Sequence, residues 1–258
     1  MIMRWSGTVV VVALSLAACK RGGDDFSAID SMSTGSIENV SIKETAELGN
    51  RWQRSPGNVK LGLGYAARLK ALGQSEQQLA VLKTLVDRNP KDPNLPTLYG
   101  KELAAAGRAG EAAPILERVA ASGRADWKIH SALGSSYDQQ ERYPEARQQY
   151  EKALQLSPGN VKVINNLGLS YALGGDLKKA EETFRDASSL PGADAEPRLR
   201  QNYALVVGLQ GRFAEARQIA SRDLPPEQVE ANMAYLKQML AQPDPWSELK
   251  GAKPAEQG

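Results

Sequence analysis

Asn165-Asn166-Leu167-Gly168-Leu169-Ser170-Tyr171-Ala172 leads, past Gly174-Gly175, to Ala180, Phe184 and Ala187. The same order of glycine, tyrosine, alanine, aromatic and alanine stands upstream as Gly134, Tyr137, Ala146, Tyr150 and Ala153. Small residues Ala66, Gly100, Gly134 and Gly168 are 34 positions apart, and Ala204 follows after 36. A unit of this length holds two helices that cannot bury their apolar faces alone, so neighbouring units must stack to share a core. The period therefore predicts an all-α solenoid.

Leu-Gly-x-x-Tyr, then Ala, an aromatic or Leu, Ala and Pro is the pattern of tetratricopeptide (TPR) repeats, and the chain resembles that family. The resemblance implies a right-handed superhelix of about five helix-turn-helix repeats. Numbered from Val59, Pro93, Trp127, Val161 and Pro197, they occupy 59–92, 93–126, 127–160, 161–194 and 197–225. Gly73, Gly107, Gly175 and Gly211 stand where the first helix of a pair (A) stops, because glycine takes a left-handed conformation at little cost. Pro90 and Pro158 end the second helix (B), since proline cannot continue the hydrogen-bond ladder. Alanine at position 20 (Ala112, Ala146, Ala180, Ala216) and the small residue at position 8 let paired helices approach closely. Four places break the pattern: Gln78 replaces the small residue of repeat one, Arg124 the proline of repeat two, Glu141 the turn glycine of repeat three, and Asp223 a packing alanine of repeat five. Terminal units need covers. Residues 44–58, with Leu48 and Trp52, are expected to cap the N-terminal end. Residues 226–242, with Val229, Met233, Leu236 and Leu240 at helical spacing, are expected to cap the other, ahead of a Pro-rich tail over 243–258.

Of the 258 residues, 41% are hydrophobic and 24% charged, which suits a folded chain and not a disordered one. A single Cys and a single His exclude disulfide frameworks and Cys/His zinc sites. A net charge of +2 does not suggest nucleic-acid binding. Gly62-Leu63-Gly64-Tyr65-Ala66-Ala67 imitates a dinucleotide fingerprint, but that motif needs a strand before it and a helix after it, and here it falls inside a helix. His130, at position 4, reads as a helix-interface residue, and paired acids such as Glu181-Glu182 as a solvated face. No catalytic residue, metal, cofactor or small-molecule substrate is expected.

The N-terminus carries Arg4 and then an apolar run, Thr8 to Ala18, about half the ~20 residues a spanning helix needs. It reads as a signal peptide over 1–18. Leu16-Ala17-Ala18-Cys19 resembles a bacterial lipobox, which implies acylation of Cys19 and cleavage before it. Lys20 in place of Asp implies, on the same resemblance, sorting to the outer membrane. Residues 19–43 read as the lipidated cysteine and a flexible Gly/Ser/Asp-rich tether. The chain is thus expected to be anchored to a membrane without spanning it, facing the periplasm.

In tetratricopeptide folds the A helices line a concave face, and the motif implies that positions 2, 5, 9 and 12 point into it. Those positions hold Lys60, Lys128, Lys162 and Arg198, with Lys101 and Lys70, against one acid, Asp138. Four of five repeats place a cation in the first turn of helix A, where the helix dipole disfavours it by about 0.3–1 kcal/mol. Asn165 and Gln201 would supply hydrogen bonds, and Leu169, Leu173, Leu205 and Leu209 an apolar floor. The expected ligand is an acidic or carboxylate-terminated protein segment.

With the lipobox and tether, the stretches Asn165 to Ala172, Arg200-Gln201-Asn202-Tyr203-Ala204-Leu205-Val206 and Ala231-Asn232-Met233-Ala234-Tyr235-Leu236 resemble the TadD-type lipoproteins of Flp (tight-adherence) pilus assembly. That resemblance implies a pilotin-like factor that binds the pilus secretin or another component of the Tad machinery. A general TPR adaptor of envelope protein assembly or polysaccharide export is the alternative.

Overall fold

A computed structural model describes residues 41–123 and 125–241. The leader, Cys19, nearly all of the tether, Arg124 and the tail from 242 onward lie outside the described residues. Within them twelve α-helices follow one another and there is no strand: α1 (Ile42–Gln53), α2 (Val59–Ala71), α3 (Ser75–Arg88), α4 (Asn94–Ala105), α5 (Ala109–Ala121), α6 (Trp127–Asp138), α7 (Tyr143–Leu156), α8 (Val161–Leu173), α9 (Leu177–Ala187), α10 (Pro197–Leu209), α11 (Phe213–Ala220) and α12 (Pro226–Leu240).

Helix A begins on a side-chain cap in three repeats. Asn58, Asp126 and Asn160 accept backbone N–H groups of the first turns of α2, α6 and α8, which answers donors that have no intrahelical partner. Helix A ends where a residue turns left-handed: Gly73, Gly107, Gly175 and Gly211 have φ of 72°, 76°, 87° and 80°. The following N–H then reaches back five residues, as from Gln74 to Leu69 at 2.9 Å. Repeat three makes the same turn, with Arg142 N–H on Tyr137 O at 2.9 Å, but Glu141 holds the left-handed place at φ 58°. A side chain there meets its own backbone. Glu141→Gly is expected to raise stability by about 1 kcal/mol, net of the contact that Glu141 makes. A urea midpoint that stays put or falls would mean that this contact outweighs the strain.

The alanines at position 20, Ala112, Ala146, Ala180 and Ala216, are all fully buried. The small residue at position 8 faces a different partner, position 24 of the same pair. A Cβ on Gly134 would stand 2.7 Å from the Tyr150 ring, and one on Gly168 2.7 Å from the Phe184 ring. Glycine is the cavity into which each B-helix aromatic is set. In repeat one the position-20 residue, Gln78, is buried too, and its amide donates to Glu102 of the next repeat at 2.9 Å. An inter-repeat hydrogen bond thus stands where the other repeats use a methyl group.

Both ends are covered. Trp52 of α1 lies 5.8 Å from the Tyr65 ring, and a Cβ on Gly49 would stand 2.9 Å from that ring, so only glycine fits beneath it. Gly62, of the apparent nucleotide fingerprint, faces Leu85 and Trp52 in mid-helix, so its bare backbone serves packing. At the far end Val229, Met233, Leu236 and Met239 of α12 are buried, with Leu236 against Gly208.

Candidate functional site

Each B helix packs on its own A helix and on the A helix that follows. The A helices also touch one another directly, α4 on α6, α6 on α8 and α8 on α10. A stack whose A layer is the closer-spaced one curves toward that layer, so the inner face is built of α2, α4, α6, α8 and α10.

On that face Lys60, Lys162 and Arg198 are exposed at position 2, and Lys128 is half-buried, its Nζ 5.6 Å from the Trp127 ring centre. Lys101 is also half-buried. Burial first, then the charge of Lys128 and more weakly that of Lys70, holds its ammonium below the ordinary lysine range, with Asp126 and Glu102 opposing. Cations of three successive repeats therefore feel one another across the inner face.

The lining differs from the sequence expectation in its acids. Glu102, at position 10 and outside the expected set, takes Lys70 Nζ at 2.7 Å while accepting from Gln78. Glu196 stands 4.0 Å from Lys162. Counting Asp126 as well, three acids outside the set reduce its excess of five positive charges to two. Asp138, expected as the groove's one acid, is engaged between helices instead: the Tyr150 hydroxyl of α7 donates to Oδ2 at 2.8 Å and Ser170 Oγ of α8 to Oδ1 at 2.6 Å. Asn165 accepts from Asn202 at 2.8 Å, tying α8 to α10. Leu169 and Leu205 are half-buried, as is Gln201. Leu209 is 8% exposed and belongs to the core under α12, so it is no part of an open floor, whereas Leu173 at 37% is accessible.

Burial pushes the Asp138 carboxyl up to about 6, against the pull of its two hydrogen bonds and of Arg147. Because the folded chain holds this proton more tightly than the unfolded one, the group adds stability as pH falls from 7.5 toward 4.5 and removes it as pH rises through 6. The contribution is on the order of 2 kcal/mol. Denaturant unfolding at the two pH values should show wild type gaining on Asp138→Asn by that amount on acidification; parallel profiles would refute the assignment.

Two Tetratricopeptide repeat families match, over residues 99–161 and 139–200. The fold is a tetratricopeptide-repeat solenoid. Solved structures similar to it include MamA of Desulfovibrio magneticus RS-1, 23% identical with a TM-score of 0.51, over 56% of this chain and 82% of that one. A thermophilic TPR protein of Thermus thermophilus is 21% identical with a TM-score of 0.57, over 69% and 98%. YrrB, described as a TPR protein with an unusual peptide-binding site, is 13% identical with a TM-score of 0.51, over 75% and 99%. No curated protein matches the sequence. The residues that sequence reading missed in this tetratricopeptide solenoid are Glu102 and Glu196 as inner-face partners. Glu102 is one residue, and so about 100° around the helix, from Lys101, and spacing alone does not bring it to the groove.

Proposed function

We propose that the chain is a non-catalytic binding scaffold that captures an acidic protein segment along its A helices. The observation that carries this reading is the Lys70, Lys101 and Lys128 group, in which an arriving anion would offset the mutual repulsion that, after burial, lowers proton affinity at Lys101. The exposed Lys60, Lys162 and Arg198 extend the positive face at either side, while Asn165, Gln201, Leu169 and Leu205 offer amides and apolar surface. Asp138 is assigned to the joint between repeats, not to the ligand.

The lipobox-like Leu16 to Cys19 supports a lipid anchor in the outer membrane, and the TadD-type resemblance supports a pilotin-like role toward the pilus secretin. Tethering raises local concentration, so a modest groove affinity suffices and no covalent step is needed. Reversing Lys128, Lys162 and Arg198 to Glu is expected to reduce partner capture more than tenfold at physiological salt with an unchanged unfolding midpoint. The cellular test is to locate assembled secretin in membrane fractions of wild type, a deletion and Cys19→Ser. Loss or misplacement in both mutants supports the role, and normal secretin in both leaves the general envelope adaptor.

A further inference from the structure

The inner face changes character along the stack. Position 9, which the motif turns toward the groove, is Ala67, Lys101 and Ser135 in the first three repeats and Leu169 and Leu205 in the last two. These two leucines hold the same place on helices that touch, α8 and α10, and both are half-buried. Leu173, one turn beyond Leu169, is 37% exposed, one of three large apolar side chains so exposed among the described residues. The others, Ile42 and Leu156, stand at the start of α1 and the end of α7. An apolar patch is thus left on the inner face of repeats four and five.

Two turns before each leucine, about 10.5 Å along the helix and on the same face, stands a cation: Lys162 before Leu169 and Arg198 before Leu205. Glu196 is the acid beside Lys162, at 4.0 Å. Arg198 is exposed, and among the described residues no acid lies within ion-pair distance of it. The last helix delivers the chain to this place. Leu236 of α12 lies against Gly208 in the last turn of α10, and Met239 shares a core with Leu209, so the chain leaves Ala241 beside the C-terminal end of α10.

Pro243-Asp244-Pro245-Trp246-Ser247-Glu248-Leu249 follows almost at once. We infer that this segment docks on the inner face of its own chain, Trp246 over Leu169, Leu173 and Leu205 and Glu248 against Arg198, so that a partner must displace it. The displacement rests on the proposed reading of the inner face as the binding surface; the docking does not. The reach is sufficient. At the usual 8–10 Å per helix contact, α10 is one contact from α12 and α8 is two, roughly 16–20 Å, while five extended residues from Ala241 to Trp246 span up to about 18 Å. Glu248 then lies about 7 Å further on, and two long side chains cover the rest of the distance to Arg198. Pro243 and Pro245 restrict the free segment, so less freedom is lost on docking. A connection this short gives an effective concentration of about 1 mM, so an intrinsic docking constant of about 0.1 mM already weakens an outside ligand about tenfold.

The test follows the anisotropy of a fluorescein-labelled peptide of residues 242–258 titrated with the full chain or with its Trp246→Ala variant. The peptide is expected to bind the variant saturably and about tenfold tighter than wild type, whose own tail holds the face. In the Trp246→Ala chain, Leu173→Glu, a change at an exposed place, should weaken binding at least tenfold and Arg198→Glu at least threefold with the helical circular dichroism intact, whereas Lys128→Glu in repeat three should leave it unchanged. In a Cys19→Ser chain, Arg198→Cys with Glu248→Cys should form a disulfide within one chain. Absence of saturation, equal affinity for wild type and Trp246→Ala, indifference to Leu173→Glu, or a disulfide only between copies would each overturn the inference. The two readings fail separately: if the peptide does not bind while reversal of Lys128, Lys162 and Arg198 still reduces partner capture, tail docking alone falls, and if the peptide binds as expected while that reversal leaves capture unchanged, the groove reading alone falls.

Discussion

Asp223→Ala is expected to destabilise the solenoid by about 3–5 kcal/mol, although alanine is what the repeat pattern asks for at that place. Asp223 and Arg200 are 10% and 12% exposed and meet through two parallel hydrogen bonds. The same guanidinium donates to the carbonyls of Ala193 and Asp194, pinning the short 3-10 turn that joins repeats four and five. Removing the carboxylate leaves the guanidinium with two neutral carbonyls at hydrogen-bond distance and only the exposed Asp194 carboxylate, 3.8 Å away, and that loss dominates any gain from a smaller side chain. The matched double change Arg200→Leu with Asp223→Ala removes both charges and should recover most of the loss, because a buried pair is often no more stable than apolar residues of similar volume. Urea unfolding of the three variants decides it: an Asp223→Ala midpoint equal to wild type would mean that the pair contributes nothing and that the consensus rule applies.

Phe184→Ala should cost about 3–5 kcal/mol, since the ring is fully buried and its removal leaves a cavity where α8 and α9 meet. The complementary change is more informative. Gly168→Ala places a methyl carbon 2.7 Å from Phe184 Cζ, inside contact distance of a ring with no exposed side toward which to move, and should cost about 1–3 kcal/mol. Repeat one carries Ala66 and Leu82 at these two positions, both buried, so alanine and leucine are a compatible pair. Gly168→Ala combined with Phe184→Leu is therefore expected to lose at least 1 kcal/mol less than the two single changes summed. Additive losses would show that glycine is not there to make room for the ring.

The fold was legible because a stacked repeat writes its core into a one-dimensional code. The positions that must be small, Gly134 and Gly168, and those that must turn left-handed, Gly73 and Gly175, recur at one period and can be aligned against each other. The departures were legible only as departures. Asp223 and Gln78 in place of alanine could be seen to break the pattern, but their partners, Arg200 and Glu102, lie in other helices, whereas Glu141 takes the glycine's place within its own turn.

The inner face shows the same limit. A rule that assigns positions 2, 5, 9 and 12 to the groove finds Lys128 and Lys162, yet it omits Glu102 at position 10 and counts Asp138 as a ligand-facing acid. Long side chains reach across the spacing between helices, so charge on a solenoid face is set by which neighbours fold back onto it and not by register alone. The sequence by itself determined the period, the pairing of helices and the places where each must stop, since these depend on local backbone conformation and on volume repeated every 34 residues. Tertiary structure alone decided which ionic side chains line the inner face and which are spent between repeats. Those outcomes are settled by distances between side chains far apart in the chain, to which no local pattern is sensitive.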